Sequence, residues 1–379
     1  MYKFILNLMI MATLNSFDVN VLNSISAVVI DAESGRVLVG KNENNILPNA
    51  STTKILTCIL AIENCEMDDI VTVSKYASGM PDVQLNIKEG QKFYLKDLLF
   101  SLMLESHNDS AVAIAEHISG NVEKFSKLMN EKARELGCYN TNFVTPNGLD
   151  GENENGIHST TAYDLALIMK YCMNNDKFLE ITSTLTHSFV DLEGKSSYTV
   201  NNKNALLREN VGVISGKTGF TSKAGYCYVC ACEDEGRRFV VSLLACGWPP
   251  AKNKKWIDCR KLLSYAKENY IRVKYSDLEI DMNRMKNVSV IDGVKDCVDI
   301  EIGKLPEGGI LINANEKIEL EYNIKDTVNA PVNKGDIVGE INYMINGKKY
   351  CSVPLLSNIY VERKGYRWCV QNVLNKVLF

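Results

Sequence analysis

Residues 48–63 read PNASTTKILTCILAIE, and this stretch decides the fold. After Pro48 and Ser51, the apolar residues Ile55, Leu56, Cys58, Ile59, Leu60, Ala61 and Ile62 fall on every side of a helix rather than on one stripe. A helix of that kind is buried all round, so the rest of the chain must fold about it, with Ser51 at its first turn. Upstream, the β runs Ile25 to Asp31 and Arg36 to Val39 flank the turn-forming segment Ala32 to Gly35 and read as a hairpin. Downstream come helical patterns: Lys96 to Leu104, Asp109 to Ser119 closed by Gly120, and Val122 to Leu136 closed by Gly137. Thr161 and Asp164 form a capping box for a further helix through Cys172. Strand patterns return at Val211 to Phe220, Gly225 to Cys232 and Arg237 to Cys246, and a helix over Lys252 to Asn269 follows Pro249-Pro250. Strands at both ends of a helical block predict an α+β domain over residues 23–270, with one antiparallel sheet built from both ends.

From about Ile271 the pattern changes to β-favouring alternation broken by turn signals at Gly308-Gly309, Asn333 to Gly335 and Asn346-Gly347. A small all-β domain is expected over 271–361. The last stretch, 362–379, sets Trp368, Val370, Val373, Leu374, Val377 and Leu378 among Arg363, Lys364, Arg367 and Lys376. Such a basic amphipathic helix suits an anionic membrane surface, with docking on the β domain as the alternative. At the other terminus Lys3 precedes the apolar run Phe4 to Leu14, too short to span a bilayer but of the length of a secretory h-region. Residues 1–22 are read as an export leader. A buried first strand is the competing reading, because Asn7 interrupts the run and no A-x-A site follows.

A net charge of -4 argues against nucleic acid, whose backbone is bound by clustered Lys and Arg. The twelve cysteines are irregularly spaced in a chain long enough to bury a core, so they read as small buried hydrophobes rather than as a disulfide framework. Strand alternation points Cys230 and Cys232 to one face and Cys227 to the other, which disfavours a metal site there. The four histidines, His107, His117, His158 and His187, stand at no metal-ligand or triad spacing from a carboxylate. No metal or cofactor is expected, and His158 is assigned a structural hydrogen bond.

Three separated groups carry chemistry. Ser51 and Lys54 are three residues apart on one helix face, so the amine can take the hydroxyl proton. The spacing alone is weak, since Ser264 and Lys267 repeat it on another helix. Ser51 differs in opening a buried helix, whose free N–H groups favour negative charge. A lysine base needs its ammonium destabilised by burial or by a neighbouring cation, and Lys217 is available for the latter. Lys217, Thr218 and Gly219 end a strand pattern where glycine leaves the edge open, so a peptide can add alongside with its carboxylate at Lys217 and Thr218. Ser106, His107 and Asn108 lie at a break between helices; Ser106 can relay a proton and Asn108 can bind a substrate amide. Lys223 and Thr221 flank the same cleft or else form a solvated turn.

With this trio in order, the chain resembles the low-molecular-mass penicillin-binding D-alanyl-D-alanine carboxypeptidases of the serine type, peptidase family S11. The similarity runs through Pro48 to Thr57, Ser106 to Gly120, Gly148 to His158 and Gly216 to Gly225. It implies a β-lactamase/transpeptidase-like catalytic domain, with the β domain and terminal helix as appendages. Ser51 would be the acylated nucleophile, Lys54 its base, Ser106 the proton relay and Asn108 a substrate binder. Lys217 and Thr218 would hold the substrate carboxylate, and the backbone N–H groups of Ser51 and Phe220, after Gly219, would form the oxyanion hole. The implied substrate is the peptidoglycan stem peptide, with β-lactams as acylating partners, and the implied place is the outer face of the cytoplasmic membrane. Two departures stand out. Cys246 to Pro249 occupies the region where the family often has an arginine, which leaves the carboxylate to Lys217 and Thr218, with Lys203 or Arg208 as helpers. Phe220 stands where a polar side chain is common. The competing functions are a serine β-lactamase, disfavoured by the lack of a Glu-x-x-Leu-Asn pattern between Asp109 and Gly216, and a non-catalytic β-lactam sensor or peptidoglycan-binding module.

Overall fold

Strand β1 (Ser26–Asp31) is buried along its whole length, as a central strand covered on both faces must be. Its neighbours are β2 (Val37–Lys41) on one side and β5 (Arg237–Leu244) on the other; β4 (Gly225–Asp234) and the edge strand β3 (Val213–Thr221) complete a five-stranded antiparallel sheet in the order β2-β1-β5-β4-β3. The first and last strands of the domain are thus paired, and the helices between them pack on one face of the sheet. The computed structural model describes residues 17–378, which divide into two units, residues 17–268 and 269–378.

Helix α1 (Lys54–Asn64) is buried from Lys54 through Ile62, and α2 (Leu95–Leu104), α3 (Asn108–Ser119), α4 (Val122–Glu135), α5 (Ala162–Cys172) and α6 (Asp176–Ser183) surround it. Their apolar faces merge into one core with the sheet. Helix α7 (Lys254–Asn269) covers the opposite sheet face, where Trp256 meets Tyr228 edge-on at 4.8 Å and Cys259 lies 3.6 Å from Cys230. Cys227 turns the other way, toward Pro48 O. The alternation places these thiols as the sequence pattern requires, and all three are buried and free.

Two local details differ from the sequence reading. Ser51 does not lie in α1; it lies in a 3-10 turn, Ala50–Thr53, and the α-helix begins at Lys54. The hydroxyls of Thr52 and Thr53 donate back to Asn49 O and Ala50 O, and Ala50 adopts a positive φ, so the turn stays tighter than an α-helix. The capping box of α5 is half formed. Thr161 caps Asp164 N, but the Asp164 carboxylate accepts from Asn140 N and Thr141 Oγ1, tying the helix to the preceding segment.

Most of the expected leader lies outside the described residues. Its last residues, from Phe17, pack on the first unit: Phe17 meets Tyr265, Leu22 is buried, and Lys41 and Lys261 donate to Leu22 O and Val21 O.

The second unit is mostly β, with short 3-10 turns at Tyr275–Asp277 and Met282–Arg284 and a terminal helix. A four-stranded sheet pairs Ile300–Ile302, Lys348–Ser357, Ile337–Ile345 and Ile318–Ile324 around a core that includes Tyr343, Val353 and Leu355. Asn346 and Gly347 both have positive φ and close the hairpin between the two long strands, as an Asn-Gly turn should. Helix α8 (Tyr366–Leu378) leaves Tyr366, Val370, Val373 and Leu374 exposed.

Candidate active site

The turn that carries Ser51 is locked from four directions. Asn49 Nδ2 donates to Thr52 Oγ1 and Thr53 Oγ1 at 3.1 and 2.9 Å. His158 Nδ1 accepts from Val144 N at 3.0 Å, so its proton sits on Nε2 and is donated to Thr53 Oγ1 at 2.8 Å. Burial, then the nearby Lys54, lowers the His158 pKa to about 3, which keeps the ring neutral. Gly148, at φ +81°, and Gly219 press on the turn from either side; a Cβ on Gly148 would lie 2.0 Å from Ala50 O, and one on Gly219 3.0 Å from Ser51 N. Only glycine permits either approach.

Lys54 is fully buried beneath Ser51, and its ammonium nitrogen has three oxygen partners: Ser51 Oγ at 2.9 Å, Asn108 Oδ1 at 2.9 Å and Asn147 O at 2.6 Å. Burial holds its pKa well below the ordinary lysine value, the positive charge of Lys217 lowers it further, and Asp109 opposes both. A neutral amine has two N–H donors and one lone pair. Asn147 O and Asn108 Oδ1 can only accept, so they take both donors and the lone pair is left for the Ser51 hydroxyl. That hydroxyl has only a long contact of its own, 3.3 Å to Asn147 O. Ser264 and Lys267, the decoy pair, are turned to other partners: Ser264 donates to Glu268, and Lys267 to Val211 O.

Asn108 opens α3. Its carbonyl is held by Lys54, and one N–H of its amide donates to Pro81 O at 3.0 Å. Ser106 adopts a φ of +74°, and its buried hydroxyl has no hydrogen-bond partner among the described residues. A strained serine with an unsatisfied buried hydroxyl fits a group that exchanges partners during a reaction.

Lys217 is buried on β3, donates to Thr218 O at 2.9 Å, and is lowered by burial to a pKa of about 7. The open edge follows from the ladder. Tyr226 N donates to Gly247 O and Tyr226 O accepts from Cys246 N, so both groups of Tyr226 face away from β3. Its partner Phe220 therefore belongs to a non-hydrogen-bonded pair and directs its own N–H outward, off the sheet edge, as does Thr218 opposite Tyr228. The Phe220 ring is 41% exposed and rests on Tyr226 at 4.7 Å.

The expected helpers for a carboxylate are committed elsewhere: Lys203 pairs with Glu105 at 2.8 Å, and Arg208 donates to Asn202 O. Thr221 donates to Asp150 Oδ1 and caps Ala224 N, which makes it a turn residue. Two histidines meet carboxylates far from them in sequence: His187 Nε2 lies 2.8 Å from Asp97 Oδ1 and His117 Nε2 lies 3.6 Å from Asp69 Oδ2. Both pairs join residues too far apart in sequence for spacing to reveal. Two contributors were not read from the sequence. Asn147 acts through its backbone carbonyl, which has no residue signature. Asp109 accepts from Leu85 N, Asn86 N and Ile87 N, fixing the loop whose Pro81 O and Val83 O hold Asn108.

Residues 14–245 match the family described as D-alanyl-D-alanine carboxypeptidase, and residues 284–363 match the penicillin-binding protein 5 C-terminal domain. The chain is 30% identical to D-alanyl-D-alanine carboxypeptidase DacF of Bacillus subtilis over 90% of its own length and 86% of the relative's. Penicillin-binding protein 5 of Haemophilus influenzae superposes with a TM-score of 0.73 at 25% identity, covering 92% of this chain and all of that one. Penicillin-binding protein D2 of Listeria monocytogenes, in its ampicillin-bound form, gives 0.56 at 28% identity over 64% of this chain and 97% of that one. This chain belongs to the D-alanyl-D-alanine carboxypeptidase family.

Proposed function

We propose that the chain removes the terminal D-alanine from peptidoglycan stem peptides through an acyl-enzyme on Ser51. The observation that carries this reading is the Lys54 amine, whose two N–H groups are claimed by Asn147 O and Asn108 Oδ1 and whose remaining lone pair faces Ser51 Oγ. Ser51 Oγ attacks the carbonyl of the penultimate residue as its proton passes to Lys54 Nζ. The outward N–H of Phe220 and the N–H of Ser51 receive the developing oxyanion; a donor so placed is typically worth about 3 kcal/mol. Ser106 relays the proton to the leaving amine. The second N–H of Asn108 is available to the substrate amide, and water then hydrolyses the ester. Lys217 and Thr218 hold the terminal carboxylate at the strand edge. β-Lactams are proposed to acylate the same serine, in line with the ampicillin-bound relative.

The test is intact mass after incubation with penicillin, together with D-alanine release from a D-alanyl-D-alanine peptide. One persistent adduct and one D-alanine per peptide are expected. Nitrocefin hydrolysed at many equivalents per chain would favour a β-lactamase instead, and an adduct without D-alanine release would favour a sensor.

The state of Lys217 makes a pH prediction. With a pKa near 7 in the free enzyme, Lys217 loses its charge as the pH rises, so KM for a carboxylate-bearing peptide should climb above about pH 7 while kcat stays level. On the acid side kcat should fall as Lys54, whose pKa burial holds well below the ordinary lysine value, becomes protonated. A KM unchanged between about pH 6 and about pH 9 would remove Lys217 from carboxylate binding.

The proposed setting is the outer face of the cytoplasmic membrane, with α8 lying on an anionic surface. Its exposed Val370, Val373 and Leu374 beside Arg367 support contact with lipid over docking. Among the described residues no helix is long and apolar enough to cross a membrane. Full-length protein should sediment with anionic vesicles and a chain ending at Val361 should not; equal recovery in the supernatant would refute the membrane role.

A further inference from the structure

The helix pair that supports the chemistry is joined at both ends. At the catalytic end, Lys54 of α1 meets Asn108 of α3 at 2.9 Å. At the far end, about 15 Å away along α1, the same two helices bring together Cys65, which caps α1, and His117, in the last turn of α3. Asp69 stands between them. A Cys65 Sγ, an Asp69 carboxylate oxygen and a His117 ring nitrogen all lie within 4.8 Å of one another, and they are the one such group of three among the described residues.

We propose that this trio binds a zinc ion that ties the C-terminal ends of α1 and α3. Sulfur and imidazole nitrogen exclude calcium and magnesium, which take oxygen ligands, whereas a mixed set of one S, one N and one O suits zinc with water in the fourth position. Tetrahedral zinc with bonds of about 2.0 to 2.3 Å sets its ligand atoms about 3.3 to 3.6 Å apart. The His117 Nε2 to Asp69 Oδ2 separation, 3.6 Å, is already of that size. Gathering the Cys65 sulfur needs a movement of about 1 Å, within the reach of a side-chain rotation. Charge also matches, since a thiolate and a carboxylate neutralise a dication. The adjacent Asp68 is paired with Lys96 and does not compete.

The frame is held before any ion arrives. Glu66 N donates to Asp69 Oδ2 at 3.1 Å, Asp69 N donates to Glu66 O, and Leu95 N and Lys96 N fasten the same turn through Asp69 O and Met67 O. On binding, the Cys65 S–H gives its proton to solvent as the zinc–sulfur bond forms, so one proton leaves per ion. The ion holds the register of the helices that carry Lys54 and Asn108 and takes no part in acyl transfer.

The test uses full-length, reduced, metal-free protein carrying Cys297→Ser and Cys369→Ser, which removes the two exposed thiols. Titration with Zn2+ by calorimetry should show one site, Co2+ should give a thiolate-to-metal absorption band, and Zn2+ should raise the melting temperature. Cys65→Ala and His117→Gln, each in that background, should lose the band or weaken zinc at least tenfold and abolish the thermal shift. No saturable site in the background protein, or a site that survives both substitutions, overturns the proposal.

Discussion

Ser51→Ala should leave the protein folded and inert: no mass adduct with penicillin, no D-alanine released, and a rate loss of roughly a million-fold, the scale seen when a serine nucleophile is removed. The fold should not suffer. Ser51 Oγ contributes one hydrogen bond with Lys54 Nζ and one long contact to Asn147 O, and Lys54 keeps both of its other partners. The turn is held by Asn49, Thr52, Thr53 and His158, none of which touches the serine oxygen in doing so. A melting temperature equal to the parent's, together with complete loss of acylation, is therefore the expected pairing. Residual adduct on Ser51→Ala, located elsewhere by peptide mapping, would show that another residue is the nucleophile.

The second large effect is expected for Lys54→Met, which keeps most of the side-chain volume and removes the amine. Acylation should slow about a thousand-fold, in the range for loss of a positioned general base. Stability should fall as well, because Asn147 O and Asn108 Oδ1 lose their shared donor in a buried site, at about 1 to 3 kcal/mol for each unsatisfied group. The two losses separate by measurement, acylation rate on protein that still melts in one cooperative transition. Parental acylation by such protein would exclude Lys54 as the base. The slow residual reaction should also lose the acid limb of its pH profile, since the lowered Lys54 pKa is the source of that limb.

Much of the architecture was legible because it rests on period and order. The all-round apolar pattern of Ile55 to Ile62 can only be a core helix, and strands on both sides of a helical block leave one simple sheet. The Asn346-Gly347 turn was legible for a local reason, the positive φ that both residues accept. The boundary at Ser51 was not, because a 3-10 turn and the first turn of an α-helix share their residue preferences; back-donation by Thr52 and Thr53 decides between them.

For the site, the sequence by itself determined the candidate groups: a hydroxyl and an amine three residues apart at the head of a buried helix, a Ser-His-Asn break, and a lysine before a glycine-opened strand edge. The all-round apolar run singled out Ser51 and Lys54 over Ser264 and Lys267, but it could not show how the amine is held, since spacing is a property of the helix and reactivity is a property of its surroundings. Tertiary structure supplied those surroundings. It buried Lys54, set Lys217 near enough to lower its pKa, and placed Asn147 O and Asn108 Oδ1 where they fix the direction of its lone pair, while Lys267 was left bound to Val211 O. It also brought His117 to Asp69 and Cys65 across a long interval of chain. Desolvation and hydrogen-bond direction depend on atoms supplied by distant segments, so these relations exist only once the chain has closed on itself.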